Sequence, residues 1–382
     1  MFKAFRRELR MLLGDPYRML ITMIVPLFYM TFYGTVLYTP NVEHIPIGII
    51  NQDRGALSRK LIQMFSADPV LGVNSYSDFA DMQQNLERRT INAGIIIPNN
   101  WESTLKTKKQ GRIQIYITTS NFLVANEAAK HLQTVCETMN AGLVITSLKA
   151  AGVPKESALH RVQPIVTSLI SAGNPSYGYS QFVTFAILIL ILHQLLFIIT
   201  AQSAAYEHES KRSKDIRAKG VLSFLAGKAL LYVGLFMIYG FFTLNVAFRV
   251  FHLEMNVGWL SALVYLFPFL VSISAMGLLA GSYMNNRTQA LQIIGASSVP
   301  LMLISGLLWP YDQMILIYRL LAWILPTYPM MSGLQSMTQL GSTLSEQWVP
   351  LLTGCLQALF WWSLAIYRWK KISAHSIIVP SK

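Results

Sequence analysis

Charged residues are scarce in this chain. Asp, Glu, Lys and Arg together make up 13% of its 382 residues, whereas a soluble protein has about 25%. Hydrophobic residues make up 53%, and the mean hydropathy is +0.41. This composition excludes an ordinary soluble enzyme and a disordered chain, and it indicates a protein that lies largely in a membrane.

Cysteine and nucleotide-binding motifs are almost absent. Cys136 and Cys355 offer neither a disulfide framework nor metal-ligand spacing. The fragment Gly227-Lys228-Ala229 lacks the Ser or Thr after Lys and the earlier glycine of a phosphate-binding loop. We find no convincing cluster of histidines or carboxylates. We therefore predict no catalytic residue, no metal site and no cofactor on this chain.

Basic residues outnumber acidic ones, and the formal net charge is +13. The Lys and Arg side chains flank apolar segments and do not form one stripe, so the excess indicates membrane topology rather than nucleic-acid binding. The most basic stretch is 206–219, which lies between two apolar segments. A basic loop between spans belongs on the cytoplasmic side of a membrane.

Six apolar segments are long enough to cross a bilayer. They are residues 19–37, 182–205, 221–248, 259–284, 290–308 and 348–369. Before them, residues 2–13 predict a basic amphipathic helix whose apolar side carries Phe2, Phe5, Leu9 and Leu12. We expect an uncleaved first span, because the apolar run is too long for a typical signal peptide and no cleavage site follows it.

Residues 39–176 have the polarity of a soluble domain. Strands are predicted at 45–50, 73–76, 93–97 and 112–118, and helices at 56–65, 78–88 and 126–150. The fold class is therefore an α-helical polytopic membrane protein with six transmembrane helices and an inserted α/β extracytoplasmic domain.

The predicted organisation follows from these segments. Residues 1–18 form a cytoplasmic interfacial helix, 19–38 the first span, 39–176 the extracytoplasmic domain and 177–382 the other five spans. Within that last part, 206–219 is a cytoplasmic loop and 309–335 an outer re-entrant segment. Both termini lie inside, because the short inner segments then hold fifteen Lys and Arg residues and the short outer segments only Arg249 and Arg319.

Polar side chains inside apolar segments have two readings. They can line a transport pathway, or they can form hydrogen bonds between helices. The candidates are His193, Gln194, Asn245 and Gln292. The spacing of Gly277 and Gly281 allows a second helix to approach closely, but it does not name that helix.

The segment order and two motifs resemble the permease subunits of ABC-2-type exporters, in the branch with a large domain between spans one and two. The first motif is IPIGIINQDRGALSRKLI, with Asp53, Leu57 and Ser58 in the matching positions. The second is AGIIIPNNWESTL, with Pro98 and Trp101. The resemblance covers essentially the whole chain.

The resemblance implies that the loop after span two couples the permease to an ATPase. Glu207 and Glu209 match the family's Glu-x-Glu. Ser210-Lys211-Arg212 replaces its Gly-Thr region, and Asp215 is a loose match for a later acid. The residues implied in coupling are Glu207, Glu209, Lys211, Arg212 and Asp215.

The partners implied are a cytoplasmic ABC ATPase that holds ATP and Mg²⁺, a second permease subunit in a homo- or heterodimer, and a periplasmic adaptor where one is encoded nearby. Similar proteins export hydrophobic drugs, lipids or polymers across the bacterial inner membrane. The competing reading is a membrane-anchored receptor or assembly factor whose outer domain binds an envelope partner. It gives no role to six spans with polar groups inside them.

Overall fold

The computed structural model describes residues 1–36, 44–107, 109–118, 122–152, 179–210, 220–253, 255–306 and 309–375. Contacts within the chain divide it into two compact units. Unit 1 comprises Met1–Pro40 and Ile170–Lys382, and unit 2 comprises Asn41–Leu169.

Unit 1 is helical. It begins with α1 (Phe2–Gly14), followed by α2 (Pro16–Val36), which contains a π-helical segment at Leu20–Ile24. The helices after unit 2 are α7 (Tyr179–Glu209), α8 (Val221–Val250), α9 (Trp259–Gly281), α10 (Arg287–Ala296), α11 (Ser298–Ile304), α12 (Leu316–Ile324), α13 (Thr327–Leu340) and α14 (Trp348–His375).

Within the described part of the chain, five helices are long and apolar enough to cross a membrane. They are α2, α7, α8, α9 and α14. The predicted span at 290–308 is instead divided between α10 and α11, with Ser297 between them. Pro300 explains the break, because it has no N–H to donate to the carbonyl of Ala296.

The core of unit 1 lies where α7 and α9 pack together. Both helices are apolar on nearly all sides and are largely buried by their neighbours. Gly277 and Gly281 face α7: a Cβ at Gly277 would overlap Thr200, and one at Gly281 would overlap the carbonyl of Ala201. The glycine pair predicted from spacing therefore has α7 as its partner.

Unit 2 is a four-stranded sheet with helices on both faces. Its strands are β1 (Ile45–Asn51), β2 (Leu71–Ser75), β3 (Ala93–Ile97) and β4 (Gln114–Ile117), in the order β2-β1-β3-β4. β1 is parallel to β2 and β3, and β4 is antiparallel to β3. Its helices are α3 (Ala56–Ala67), α4 (Phe79–Glu87), α5 (Trp101–Lys106) and α6 (Phe122–Ala150).

The alternation of side chains along each strand builds two cores. Ile45, Ile47 and Ile49 of β1 pack with α3 and α6, whereas Ile50 packs with Met82 of α4. All four predicted strands and all three helices predicted for this region are present, with ends that differ by a few residues.

The motif residues of unit 2 connect the starts of two helices. The Glu102 carboxylate accepts from the Leu57 backbone N–H at 2.8 Å, and Asp53 accepts from the Glu102 N–H at 3.2 Å. Ser58 is fully buried and donates to the Asp53 carbonyl. The motif is thus explained by mutual capping of α3 and α5.

Candidate functional site: two ion networks at one end of the helices

Helix α1 packs against α8 on a face that agrees with the predicted one in part, because Leu12 is buried and Phe5 and Leu9 are partly buried against the core. Its buried residues are Ala4, Glu8 and Leu12, four positions apart, whereas Phe2 is 70% exposed. The close approach occurs at Gly227 of α8, where a Cβ would lie 2.5 Å from the Ala4 Cβ. The glycine of the fragment that resembled a phosphate-binding loop therefore makes room for α1.

A buried ion network joins α1 to α7 and α8. Lys228 Nζ lies 2.7 Å from Glu8 Oε2 and 2.9 Å from Glu207 Oε1, and all three side chains are 1% exposed. Arg7 Nη2 lies 2.9 Å from Glu207 Oε2. Among the described residues, two carboxylates thus face two cations, and their formal charges balance.

Hydrogen bonds complete this network. Ser203 and Tyr232 both donate to Glu8 Oε1, and Lys228 Nζ donates to the Ser203 hydroxyl at 2.8 Å. A buried ion pair is tolerated only when such bonds satisfy its remaining lone pairs and protons. A Lys near the start of a span can extend to the membrane face, but Lys228 is held inside the protein by residues of α1 and α7.

The same environment keeps Glu8 ionised. Burial alone would raise the pKa of Glu8, but the Lys228 ammonium and the bonds from Lys228, Ser203 and Tyr232 hold that pKa below its ordinary value. A lowered pKa in the folded state stabilises the docked helix above the carboxyl's ordinary pKa. This stabilisation is lost as the pH falls through the lowered value.

A second network joins the start of α2 to α7 and α10. Arg287 lies 2.7 Å from Asp15 and 3.2 Å from Glu209. Asp15 also caps α2 by accepting from the backbone N–H groups of Tyr17 and Arg18. Burial alone would raise the pKa of Asp15, but the Arg18 backbone bond and the Arg287 guanidinium hold it below its ordinary value.

One aromatic ring of α7 takes part in the second network. The Arg18 guanidinium lies 3.9 Å from the Tyr206 ring centre and that of Arg287 5.1 Å from it. Both distances suit cation–π attraction. The two networks together tie α1 and α2 to α7, α8 and α10 at the end of α7.

The sequence-predicted coupling residues are divided by the structure. Glu207 and Glu209 belong to the two networks. Lys211, Arg212 and Asp215 lie outside the described residues. The cations Arg7, Lys228 and Arg287 and the acids Glu8 and Asp15 were not predicted as site residues. The available signal was that Lys228 and Glu8 are isolated charges on otherwise apolar faces.

The polar residues predicted inside spans are not brought together. His193 Nε2 lies 3.1 Å from Thr327 Oγ1 and so connects α7 to α13. Asn245 donates to the Phe241 carbonyl of its own helix. Gln292 is exposed. None of these three lines the cavity described next.

Gln194 lies in the wall of a cavity of about 430 Å³ between α2, α7, α10 and α11. Its Nε2 donates to the Ile294 carbonyl at 2.6 Å, close to the break between α10 and α11. Its buried Oε1 has no hydrogen-bond partner among the described residues. Most of the other lining is apolar, with Tyr29, Tyr33 and Ser298 as further polar groups.

Comparison with known proteins gives one family. Residues 17–367 match the family model described as ABC-2 family transporter protein. Searches of curated proteins and of solved structures gave no match. The matched residues cover nearly the whole chain and include the described parts of both ion networks except α1 and Asp15. The chain belongs to the ABC-2 transporter family: it is a multi-pass membrane permease of an ABC transporter, and membership of this family implies an ABC ATPase as its partner.

Proposed function

We propose that this chain is the transmembrane subunit of an ATP-driven exporter that moves a hydrophobic or amphiphilic molecule outward. Two permease subunits, identical or different, work with cytoplasmic ATPase subunits that hold ATP and Mg²⁺. The observation that carries this proposal is the pair of ion networks at the end of α7, where the loop 206–219 begins.

Through the two networks, the end of α7 is bound to three other helices, α1, α8 and α10. A force on the loop reaches α7 directly, and Glu207 and Glu209 pass it to α1, α8 and α10 through Arg7, Lys228 and Arg287. In this proposal the two glutamates position the loop. Direct contact with the ATPase falls to the loop residues Lys211, Arg212 and Asp215.

The cavity beside Gln194 is the proposed substrate pathway. It is large enough for a small amphiphile and mainly apolar. Gln194 offers an unsatisfied acceptor, and its N–H bond holds α10 beside the helix break. In this proposal His193, which is bonded to Thr327 and does not line this cavity, connects helices; pathway roles for Asn245 and Gln292 stay predictions.

The proposed orientation places the networks on the cytoplasmic side of the bacterial inner membrane. The carboxyl end of α14 lies at the same end of the helices, because buried Trp369 donates to the Leu278 carbonyl and packs against His208. The basic residues of α1, the loop, Arg287 and the end of α14 then all lie inside. In this arrangement α10 and α11 together make the fifth of six crossings, 309–335 lies at the outer side, and unit 2 is extracytoplasmic.

Cysteine labelling tests this orientation. In a chain lacking Cys136 and Cys355, Lys60→Cys on the exposed side of α3 should react with a membrane-impermeant maleimide in intact cells. Ser213→Cys, in the basic loop, should react only after the inner membrane is opened. Labelling of Ser213→Cys in intact cells would place the loop outside and refute the orientation.

Gln194→Leu tests the pathway. The change removes the polar group from the cavity wall and the bond to Ile294, which is worth about 1 kcal/mol between membrane helices. We expect a small loss of thermal stability and a several-fold loss of transport per folded molecule. His193→Leu is the matched control on the neighbouring residue, and transport should follow its folded fraction. Equal transport per folded molecule in Gln194→Leu and wild type would contradict the pathway.

The function itself is tested in proteoliposomes that hold the permease and its co-purified ATPase. ATP-dependent translocation of a fluorescent phospholipid or a hydrophobic dye is expected. The alternative, a receptor or assembly factor, predicts an envelope protein retained on unit 2 and no ATP-dependent movement of either probe.

A further inference from the structure

Unit 2 contains a cavity that takes no part in the mutual capping of α3 and α5 or in the pairing of the strands. It has a volume of about 390 Å³ and lies between β4, α3, α5 and α6. Its walls include Leu61, Trp101, Ile113, Ile115, Leu132 and Met139, and none of the described residues that line it is charged. The volume falls within the range of small-molecule sites.

One buried polar group in this cavity lacks a partner. Trp101 is only 6% exposed, and its indole Nε1 has no hydrogen-bond partner among the described residues. An indole N–H can only donate, and leaving a buried donor unpaired costs free energy. Gly111 packs against this nitrogen, since a Cβ there would lie 2.7 Å from Nε1, and a ligand acceptor reaches the nitrogen by displacing the Gly111 segment.

We propose that this cavity binds a small uncharged amphiphile, an apolar chain that bears one hydrogen-bond acceptor, with the acceptor on Trp101 Nε1. The apolar walls favour the chain of the ligand, and the absence of lining charges disfavours an ionic headgroup, since no partner would offset its desolvation. Binding here needs neither ATP nor the ATPase, so it is independent of the proposed transport function.

Cys136 gives a direct readout because it also lines the cavity and is partly buried. Burial and then Glu137 raise the pKa of its thiol, so the assay is run at mildly alkaline pH. The full-length Cys355→Ser protein in lipid nanodiscs is alkylated with N-ethylmaleimide, with and without 2-decanone. Saturating ketone should slow the alkylation of Cys136 at least five-fold.

Two variants locate the effect. Ala129→Phe, in the cavity wall on α6, should abolish the protection, whereas Thr138→Phe on the exposed side of α6 should retain it. Trp101→Phe keeps most of the ring but removes the donor. It should raise the half-protecting ketone concentration about five-fold, the effect expected of one net hydrogen bond. Gly111→Ala should act in the same direction.

A Lys60→Cys protein that lacks both native cysteines controls for effects of the ketone on alkylation itself. Its alkylation rate should be the same with and without the ketone. Absence of protection in the parent protein would overturn the proposal. This is also the result expected if a side chain of a partner protein fills the cavity. Equal protection in Ala129→Phe and Thr138→Phe, or an unchanged midpoint in Trp101→Phe, would also overturn it.

Discussion

Lys228→Met should be among the most damaging single substitutions in the helical unit. It leaves Glu8 and Glu207 buried, with only Arg7 to offset two negative charges. Removing one partner of a buried ion pair costs about 3–5 kcal/mol, because the remaining charge is stranded away from water. We expect a large fall in the thermal midpoint of the purified protein and a low yield of folded protein, measured by size exclusion after heating.

The matched control removes the charges together. Lys228→Met combined with Glu8→Gln and Glu207→Gln removes both carboxylates and the buried ammonium of this network and keeps only Arg7, which is partly exposed. Replacing buried ion pairs together is often nearly neutral for stability. The triple variant should therefore recover most of the stability lost in the single variant. If Lys228→Met is as stable as wild type, or the triple variant is no better than the single one, the network is not buried as described.

Gly281→Leu should also be severely destabilising, for a steric reason. Even a Cβ at this position would overlap the Ala201 carbonyl and come within 2.8 Å of Ala204 Cβ. Backbone cannot move aside as a flexible side chain can, so α7 and α9 must separate. Overpacking typically costs about 1–3 kcal/mol, and we expect the upper end of this range in thermal unfolding.

Gly234→Leu is the matched control for Gly281→Leu. Gly234 lies in the middle of α8, and nothing lies within 4 Å of a Cβ built there. Leu has the higher helix propensity, so this variant should be as stable as wild type or slightly more stable. Similar losses in the two variants would mean that helix-to-helix contact at Gly281 is not the cause.

Much of the fold follows from local patterns in the sequence. The alternation in β1 and the apolar runs of α7, α8 and α9 are periodic, so the elements are predictable within a few residues. The break between α10 and α11 was also signalled, by Pro300. The prediction of one continuous span there gave hydropathy more weight than the missing backbone donor.

The candidate site could be predicted only in part. Glu207 and Glu209 were found through their place in a family motif, but their partners were not. Glu8 and Lys228 are 220 residues apart, and no local pattern links residues at that separation. The large apolar residues of α1 predicted the contacts of Phe5, Leu9 and Leu12, but not the burial of Ala4 and Glu8, which follows from close packing on Gly227 and from the ion pair.

The central claim is that Glu207 and Glu209 couple the loop to the helices through Arg7, Lys228 and Arg287. The most direct test is the Glu207→Gln, Glu209→Gln double variant, which keeps every Lys and Arg and so preserves the topology signal. Co-purification of the ATPase and transport per ATP hydrolysed are measured beside a Lys211→Gln, Lys214→Gln variant. We predict normal insertion of the double glutamate variant, with loss of the ATPase or hydrolysis without transport. Wild-type retention and transport in both variants would contradict the claim and leave the loop as a topology anchor.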